Sequence, residues 1–226
     1  MQPYGGSALG GLTWGILAPY GSYTLTETSP PQSFSEPLTL AEVKSYLTLP
    51  DRDPADPAED YTLSGFISAA REVAEVCQGR DLVQKQWDLA YDYFWKYQFQ
   101  LRDPLVTVDL VRYRDANGNY TTLAENTDYQ VDTMKHPGII TPKYNTTWPT
   151  FVAWPSSAVL IRFTSGYAST SAFWTGDAGQ RLKVGMLELI SAWYNNRLPF
   201  DATRAIVEYP FGLTFLLSLG ALQHVG

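Results

Sequence analysis

Apolar residues between Thr62 and Gly79 recur at the spacing of one helix face, while most polar residues fall on the other side. The pattern predicts an amphipathic helix over 62–79, with Gly79 as its C-cap. The predicted polar side includes Glu72 and Glu75. The predicted buried stripe consists of Leu63, Phe66, Ile67, Ala70, Val73, Ala74 and Cys77.

A shorter helix is predicted over 39–49 by its start signal. Thr39 can act as N-cap with Glu42 as the third residue of a capping box, and Leu38 and Val43 are placed for a hydrophobic staple. Pro50 ends this helix. The stretch DRDPADPAED at 51–60 follows, and its acidic residues and prolines predict a solvated surface loop rather than a calcium site, which needs alternating ligands and a central glycine.

The last helix is predicted over 178–197, with Asp177 and Gln180 as its capping pair. We predict that Trp193 packs against the 62–79 helix. Arg197 lies four residues later, on the same stripe, and we predict that it pairs with Glu72 or Glu75. The buried stripe of the last helix is Leu182, Met186, Leu189, Ile190 and Trp193.

After Arg80 the apolar period changes to two, which predicts β-strands. Asn117-Gly118 indicates a tight hairpin turn between two of them. An antiparallel sheet inserted over about 82–165 between the helices predicts an α+β fold. The segment YDYFWKYQF at 91–99 is too aromatic for one strand face, so we expect part of it to meet another surface. The predicted strands are 83–93, 106–113, 120–123, 129–133, 138–141 and 158–163.

Charge and composition narrow the function classes. The 226 residues carry a net charge of −7, which argues against general affinity for nucleic-acid backbone or anionic membrane, although a local basic patch stays possible. The single cysteine, Cys77, allows no intrachain disulfide. No apolar run reaches the length of a bilayer span, and the N-terminus lacks the basic start of a secretory signal.

The search for catalytic or cofactor motifs points away from an enzyme. His136 and His224 are isolated, and no zinc spacing, phosphate-binding glycine loop or nucleophile elbow occurs. The chain is therefore predicted to have no catalytic residues, no cofactor and no metal.

Both ends of the chain differ from the middle. Residues 1–36 have no charge before Glu27 and scatter glycines among aromatic residues, which suggests either an extended arm or a disordered tail. The predicted arm contacts are Trp14, Ile16, Leu17 and Tyr20. At the other end, Phe211, Phe215, Leu216 and Leu217 require burial, but the segment is too short and glycine-interrupted to span a membrane.

The order of these elements resembles one protein family. PLTLAEVKSYL, SGFISAAREVAEVCQGRDLVQKQWDL, YRDANGNY, YQVD, PGIITPK, WPSSAVLIRFTSGYA and LELISAWYNNR together resemble the head-to-tail connector (adaptor, or head-completion) proteins of tailed bacteriophages and gene-transfer agents. The resemblance covers roughly 37–200. It implies a helical connector body with an inserted antiparallel β-sheet, an extended N-terminal arm over 1–36 and a C-terminal docking segment over 201–226.

The resemblance also implies a role and partners. Connectors assemble in the host cytoplasm, usually as a dodecamer, into a homo-oligomeric ring below the portal in the virion neck, between capsid and tail. The ring extends the DNA channel without sequence-specific binding and presents a platform to the stopper or tail, with no membrane contact. By this resemblance, Phe211, Phe215, Leu216 and Leu217 would dock onto the portal protein; the alternative is that this segment folds back on its own helices.

Two other functions are compatible with the sequence. The seven Trp and fifteen Tyr residues on a partly β scaffold fit a carbohydrate-binding module, because aromatic rings stack on sugars. A neck stopper, or head-closure protein, would need a gating loop, which the sequence neither requires nor excludes.

Overall fold

The computed structural model describes residues 23–29, 35–49, 57–94, 97–195 and 216–221. It confirms the α+β class: three main helices accompany antiparallel strands. In chain order the elements are β1 (Tyr23–Ser29), α1 (Leu40–Tyr46), α2 (Pro57–Gln78), β2 (Lys85–Tyr91), β3 (Phe99–Gln100), β4 (Leu105–Arg114), β5 (Tyr120–Leu123), β6 (Tyr129–Asp132), β7 (Ile139–Pro142), β8 (Val159–Ser165), a 3-10 turn (Ala172–Thr175) and α3 (Asp177–Asn195).

The predicted start of α1 is confirmed. The Thr39 side chain accepts from the Glu42 N–H, and the Glu42 carboxylate accepts from the Thr39 N–H at 2.7 Å. Leu38 and Val43, the two staple positions, are buried. The capping box and the buried pair together fix the direction in which the chain enters the helix.

Helix α2 is longer than predicted, because it begins at Pro57 rather than near Thr62. The interpretation of 57–60 as a loop is therefore wrong. Proline is favoured in the first turn, where its missing N–H has no intrahelical partner, and Glu59 and Asp60 in that turn complement the helix dipole. At the other end Gly79, with φ 68°, donates its N–H to the Glu75 carbonyl and ends the helix as predicted.

Helix α3 begins differently from the predicted capping pair. The Gln180 N–H bonds to the Gly176 carbonyl, so Asp177 is the first helical residue rather than the cap. The Gln180 side chain donates instead to the Trp174 carbonyl at 2.6 Å. The three helices share one core, which includes Leu63, Ile67, Ala70, Ala74, Leu182, Met186, Leu189 and Ile190.

The β insertion contains two antiparallel sheets, so the single predicted sheet is wrong. The larger sheet has the order β1-β2-β8-β4-β5, and the smaller has the order β3-β7-β6. A second core, separate from the helical one, contains buried residues of both sheets, including Leu89, Ile161, Phe163, Phe99 and Ile140. The hairpin at Asn117-Gly118 is confirmed, because β4 pairs with β5 and Gly118 has φ 88°.

Strand β1 corrects the extent of the predicted N-terminal arm. Residues 23–29 pair with β2 along the sheet edge, with Tyr23 opposite Tyr91 and Leu25 opposite Leu89. This part of the predicted arm therefore belongs to the sheet of its own subunit. The alternation of half-buried Tyr23 and Leu25 with exposed Thr24 and Thr26 matches a strand with one inward face.

Candidate interaction surfaces

Glu75 lies at the junction between the helical body and the β insertion. It is buried, and its carboxylate accepts from Arg71 at 2.9 Å, from Lys85 at 2.7 Å and from the Leu82 N–H at 3.1 Å. Burial raises the pKa of this carboxyl, although Lys85 and Arg71 oppose the rise. Its predicted place on the polar side of the helix is therefore wrong.

Glu75, one of the two predicted partners of Arg197, accepts from the cations Arg71 and Lys85. Glu72 is exposed, and its carboxylate lies 3.6 Å from Arg71. Arg197 itself lies outside the described residues, so its pairing stays a prediction.

Asp81 forms a second brace at the same junction. Its buried carboxylate accepts from Arg102 at 2.6 Å, from Trp87 Nε1 at 2.9 Å and from the hydroxyl of Ser165. Asp81 lies in the connection between α2 and β2, and its three partners come from β2, from the β3–β4 connection and from β8, so the bonds hold this connection on the β insertion. Burial of the Asp81 charge is tolerated because these hydrogen bonds and the ion pair with Arg102 compensate its loss of hydration.

Trp193 packs against α2 as predicted. Its ring lies 5.8 Å from that of Phe66, centroid to centroid, with an interplanar angle of 54°. The indole is half-buried rather than fully buried. Nearby, the Tyr194 hydroxyl donates to Glu59 at 2.6 Å, which is a second side-chain link between α3 and α2.

Residues 216–221, the described part of the predicted docking segment, fold back on their own subunit. Leu217 is 2% exposed and belongs to the helical core, where it contacts the face of α3 left open by Gly185. The Gln78 side chain donates to the Leu217 and Leu219 carbonyls, and Arg80 donates to the Gly220 carbonyl at 2.7 Å. The prediction that Leu217 docks on a portal is therefore wrong, and the alternative of folding back is correct for 216–221.

Of the other predicted portal and arm contacts, the structure describes only Leu216. Leu216 is half-buried and lines a shallow cleft with Asp177, Gln180, Arg181 and Val184 of α3. Phe211 and Phe215 lie outside the described residues, as do the four predicted arm contacts Trp14, Ile16, Leu17 and Tyr20.

The aromatic segment 91–99 divides between core and surface. Tyr91 and Phe99 are buried, and Phe94 stacks on Trp148 with the rings 4.8 Å apart. Tyr93 and Tyr97 are exposed. The expectation that part of this segment meets another surface stays a prediction, for which these two exposed rings are the candidates.

The β4–β5 edge of the larger sheet carries a cluster that the sequence analysis did not identify. Arg114 lies over the Trp154 ring at 3.8 Å, and Arg112 lies over the Tyr120 ring at 4.5 Å. Neither arginine forms an ion pair with any carboxylate in the part of the chain that the structure describes. We call these four residues the arginine cluster. Its signal in the sequence is arginine at alternate positions of one strand, facing a tyrosine across a hairpin.

Three further features bear on chemistry. Within the described ranges, no helix has the length and hydropathy needed to cross a bilayer. In those same ranges, no three His, Cys, Asp or Glu residues come together as a metal-binding group. His136, isolated in sequence, places Nδ1 2.6 Å from the buried Asp103 carboxylate.

Comparison with known proteins gives matches only at the level of structure. No protein-family model and no curated protein matches the chain. A chain from the neck of an empty gene transfer agent (GTA) particle, computed with C6 symmetry, has a TM-score of 0.68 at 23% identity, over 89% of this chain and 97% of that one. A chain from the neck of a native GTA particle, computed with C12 symmetry, has a TM-score of 0.62 at 24% identity, over 89% and 97%.

A third similar structure comes from the virion of a native GTA particle. Its TM-score is 0.64 at 23% identity, and the match covers 89% of this chain and 96% of that one. These matches show that the chain has the fold of a GTA particle component over nearly its whole length.

Proposed function

We propose that this chain is a structural protein of the neck of a tailed phage or GTA-like particle, and that it acts there as a ring-forming head-to-tail connector. The observation that carries the proposal is a structural match that extends over most of this chain and nearly all of the matched neck chain. A shared fold over 89% of this chain and 97% of a neck chain covers the helical body and the β insertion together. Fold alone does not imply function, so the family resemblance of the ordered sequence segments is the second support.

The proposed ring contains about twelve copies in cyclic symmetry, each using two different faces to contact its neighbours. The C6 and C12 symmetries used for the GTA necks are compatible with such an arrangement. The ring lies below the portal protein, extends the DNA channel and offers a platform to the stopper or tail. Each subunit carries a net charge of −7, so the ring repels the DNA phosphates instead of binding them. DNA therefore slides through the channel without sequence-specific binding.

The two ends of the chain supply further contacts in this proposal. The residues before Tyr23 contact a neighbouring subunit or neck protein through Trp14, Ile16, Leu17 and Tyr20. The connection over 196–215 contacts the portal through Phe211 and Phe215. Because Asn195 ends α3 and Leu217 is buried in the helical core, both ends of that connection are held by the body.

A deletion in the organism that encodes the chain tests this role. Particles made without it should have DNA-filled heads that lack attached tails, and expression of the wild-type chain from a second locus should restore them. Normally tailed, infectious or gene-transferring particles without the chain would contradict the proposal. A glycan array with the purified chain should show no binding, and specific binding to a sugar would favour the carbohydrate-binding alternative.

A further inference from the structure

Strand β5 ends the larger sheet, and no other described strand pairs with its outer edge. The strand order β1-β2-β8-β4-β5 places it last, and its strand partner is β4. Tyr120, Thr121 and Thr122 of this strand are exposed. An exposed edge strand presents backbone N–H and C=O groups with which another extended chain can pair.

The backbone groups that β5 offers at this edge are those of Tyr120 and Thr122. Arg114 lies opposite Tyr120, but it donates its N–H to the Ala158 carbonyl at 2.7 Å, and its carbonyl accepts from the Trp154 N–H at 3.2 Å. Both backbone groups of Arg114 therefore point away from β5, so those of Tyr120 point away from β4, toward the free edge. Thr122, two positions later, has the same orientation.

The arginine cluster lies on the same face of the sheet as the Tyr120 and Thr122 side chains. Arg112 lies opposite Thr122, and Arg114 lies opposite Tyr120. Both guanidinium groups lie over the Tyr120 ring, at 4.5 Å for Arg112 and 5.1 Å for Arg114, so they reach from β4 across β5. A strand added at the free edge would place alternate side chains beside them.

The subunit supplies no anion to these two arginines within the described ranges. Arg112 Nε is buried and has no hydrogen-bond partner there. Arg162, on the same face of β8, instead binds the Asp88 carboxylate through two hydrogen bonds of 2.7 Å. Asp115, which follows Arg114, accepts from two N–H groups of the hairpin turn at 2.9 Å. Two positive charges therefore stay uncompensated beside the free edge.

An extended protein segment with carboxylates at alternate positions is the partner that fits this edge. Arg112 and Arg114 are two positions apart on one strand, a spacing of about 7 Å, which is also the spacing of alternate residues in an added strand. Guanidinium groups bind carboxylates strongly, and stacking on the Tyr120 ring already restricts both side chains, so binding costs less conformational entropy. Arg, Tyr and Trp are also the residues that most often dominate the binding energy of interfaces.

Duplex DNA and a second copy of the chain fit this edge less well. Two cations neutralise at most two phosphates, whereas DNA-binding proteins usually contact several. In this sequence the one pair of acidic residues at alternate positions is Asp51 and Asp53, and it stands between Pro50 and Pro54. Because proline has no N–H for a ladder hydrogen bond, that segment is a poor added strand.

We propose that β5 docks an extended segment of another neck or tail protein by strand addition, with two carboxylates of that segment bound to Arg112 and Arg114. The inference rests on the proposed neck function, and it names the chemistry of one partner of that platform. Backbone hydrogen bonds to Tyr120 and Thr122 give affinity, and the alternate carboxylates give specificity. The contact weakens as salt rises, because its charges lie near the surface.

A short peptide tests strand addition and charge recognition together. The probe is Thr-Thr-Glu-Val-Glu-Thr-Thr-amide with a fluorescent label at its N-terminus, titrated with the full chain in low salt and followed by anisotropy. It should bind at least about tenfold more tightly than the isomer with adjacent glutamates, because only alternate residues face the same side of a strand. The same peptide methylated at both glutamate nitrogens keeps its charges but should bind at least about tenfold more weakly, because it lacks two ladder donors.

Two variants of the chain separate the charges from the backbone edge. Arg112→Gln with Arg114→Gln removes the charges, and Thr122→Pro removes an N–H that points away from β4. Each should weaken binding of the alternate peptide at least about tenfold, because each removes hydrogen bonds to the peptide. The matched control is Lys135→Gln with Lys143→Gln, which removes two exposed cations of the same insertion and should bind as wild type does.

Several outcomes would overturn the contact. These are a wild-type chain that does not bind the alternate peptide, equal binding of the alternate, adjacent and methylated peptides, and wild-type affinity in either variant when circular dichroism shows it folded. An arginine variant that loses only binding to a short DNA duplex would assign the cluster to phosphate, and one that loses only self-association in mass photometry would assign it to a contact between copies. The neck role is judged separately, by the tail attachment of particles lacking the chain, so the two proposals can fail independently.

Discussion

Glu75 Oε2 accepts a hydrogen bond from Lys85 Nζ at 2.7 Å, and this buried pair joins helix α2 to strand β2. Arg71 contacts the same oxygen at 2.9 Å. The Glu75 carboxylate therefore binds one cation from the helical body, Arg71, and one from the β insertion, Lys85.

Replacement of Glu75 by Gln should lower the free energy of unfolding by about 2–4 kcal/mol, because it leaves two cations poorly compensated at a buried site. Urea unfolding followed by tryptophan fluorescence measures the loss. The control is Glu72→Gln, one turn away but exposed, which should change stability by no more than about 0.5 kcal/mol. Equal effects of the two substitutions would contradict the assigned burial.

Replacement of Leu217 by Ala should cost about 2–4 kcal/mol, because it leaves a cavity between α2 and α3. Truncation before residue 216 should destabilise the subunit further, since it also removes the carbonyls bound by Gln78 and Arg80. Val76→Ala, on the exposed face of α2, is the control and should have little effect. A truncated chain with unchanged unfolding would show that this segment does not belong to the core.

Trp193→Ala should lower the free energy of unfolding by about 1–3 kcal/mol, less than the usual cost at a fully buried site, because the indole is half-buried. Trp193→Phe keeps a ring against Phe66 and should recover part of the loss. If the Ala variant were as stable as wild type but absent from particles, Trp193 would be an interface residue rather than a packing residue.

The capping box of α1 should give a defined pH dependence. Burial raises the pKa of Glu42, but hydrogen bonds from Thr39 and the charge of Lys183 outweigh it and leave the pKa below the ordinary 4.5. A depressed pKa stabilises the fold in full above the unfolded value, and the gain disappears as pH falls through the folded value.

Glu42→Ala should therefore cost no more than about 0.5 kcal/mol at neutral pH, because solvent screens this exposed carboxylate, and the gap from wild type should shrink as pH falls below 4.5. Urea unfolding at a series of pH values measures the gap. Glu188→Ala, at an exposed carboxyl on α3, is the control and should change stability only slightly. A gap of constant size through the acid range would contradict the role given to the Glu42 carboxylate.

The features predicted correctly from sequence were those set by local signals. Thr39 and Glu42 are three residues apart, and Asn117-Gly118 are adjacent, so the chemistry of each signal is contained in a few positions. The order of helices and most strands followed from the change of apolar period from 3.6 to two.

The features missed depend on partners distant in sequence. Glu75 looks polar on a helical wheel, and only its contact with Lys85, ten residues later, explains its burial. Leu217 contacts α3 at Gly185, and its carbonyl accepts from Gln78, 139 positions earlier; no periodicity reports these contacts. The arginine cluster likewise required the fold to place Trp154 over Arg114.

A cryo-EM reconstruction of particles from the organism that encodes this chain tests the central claim most directly. We predict neck density between portal and tail into which this fold fits as a closed ring of copies. A neck whose components all have other folds, with this chain absent from the particle, would contradict the account.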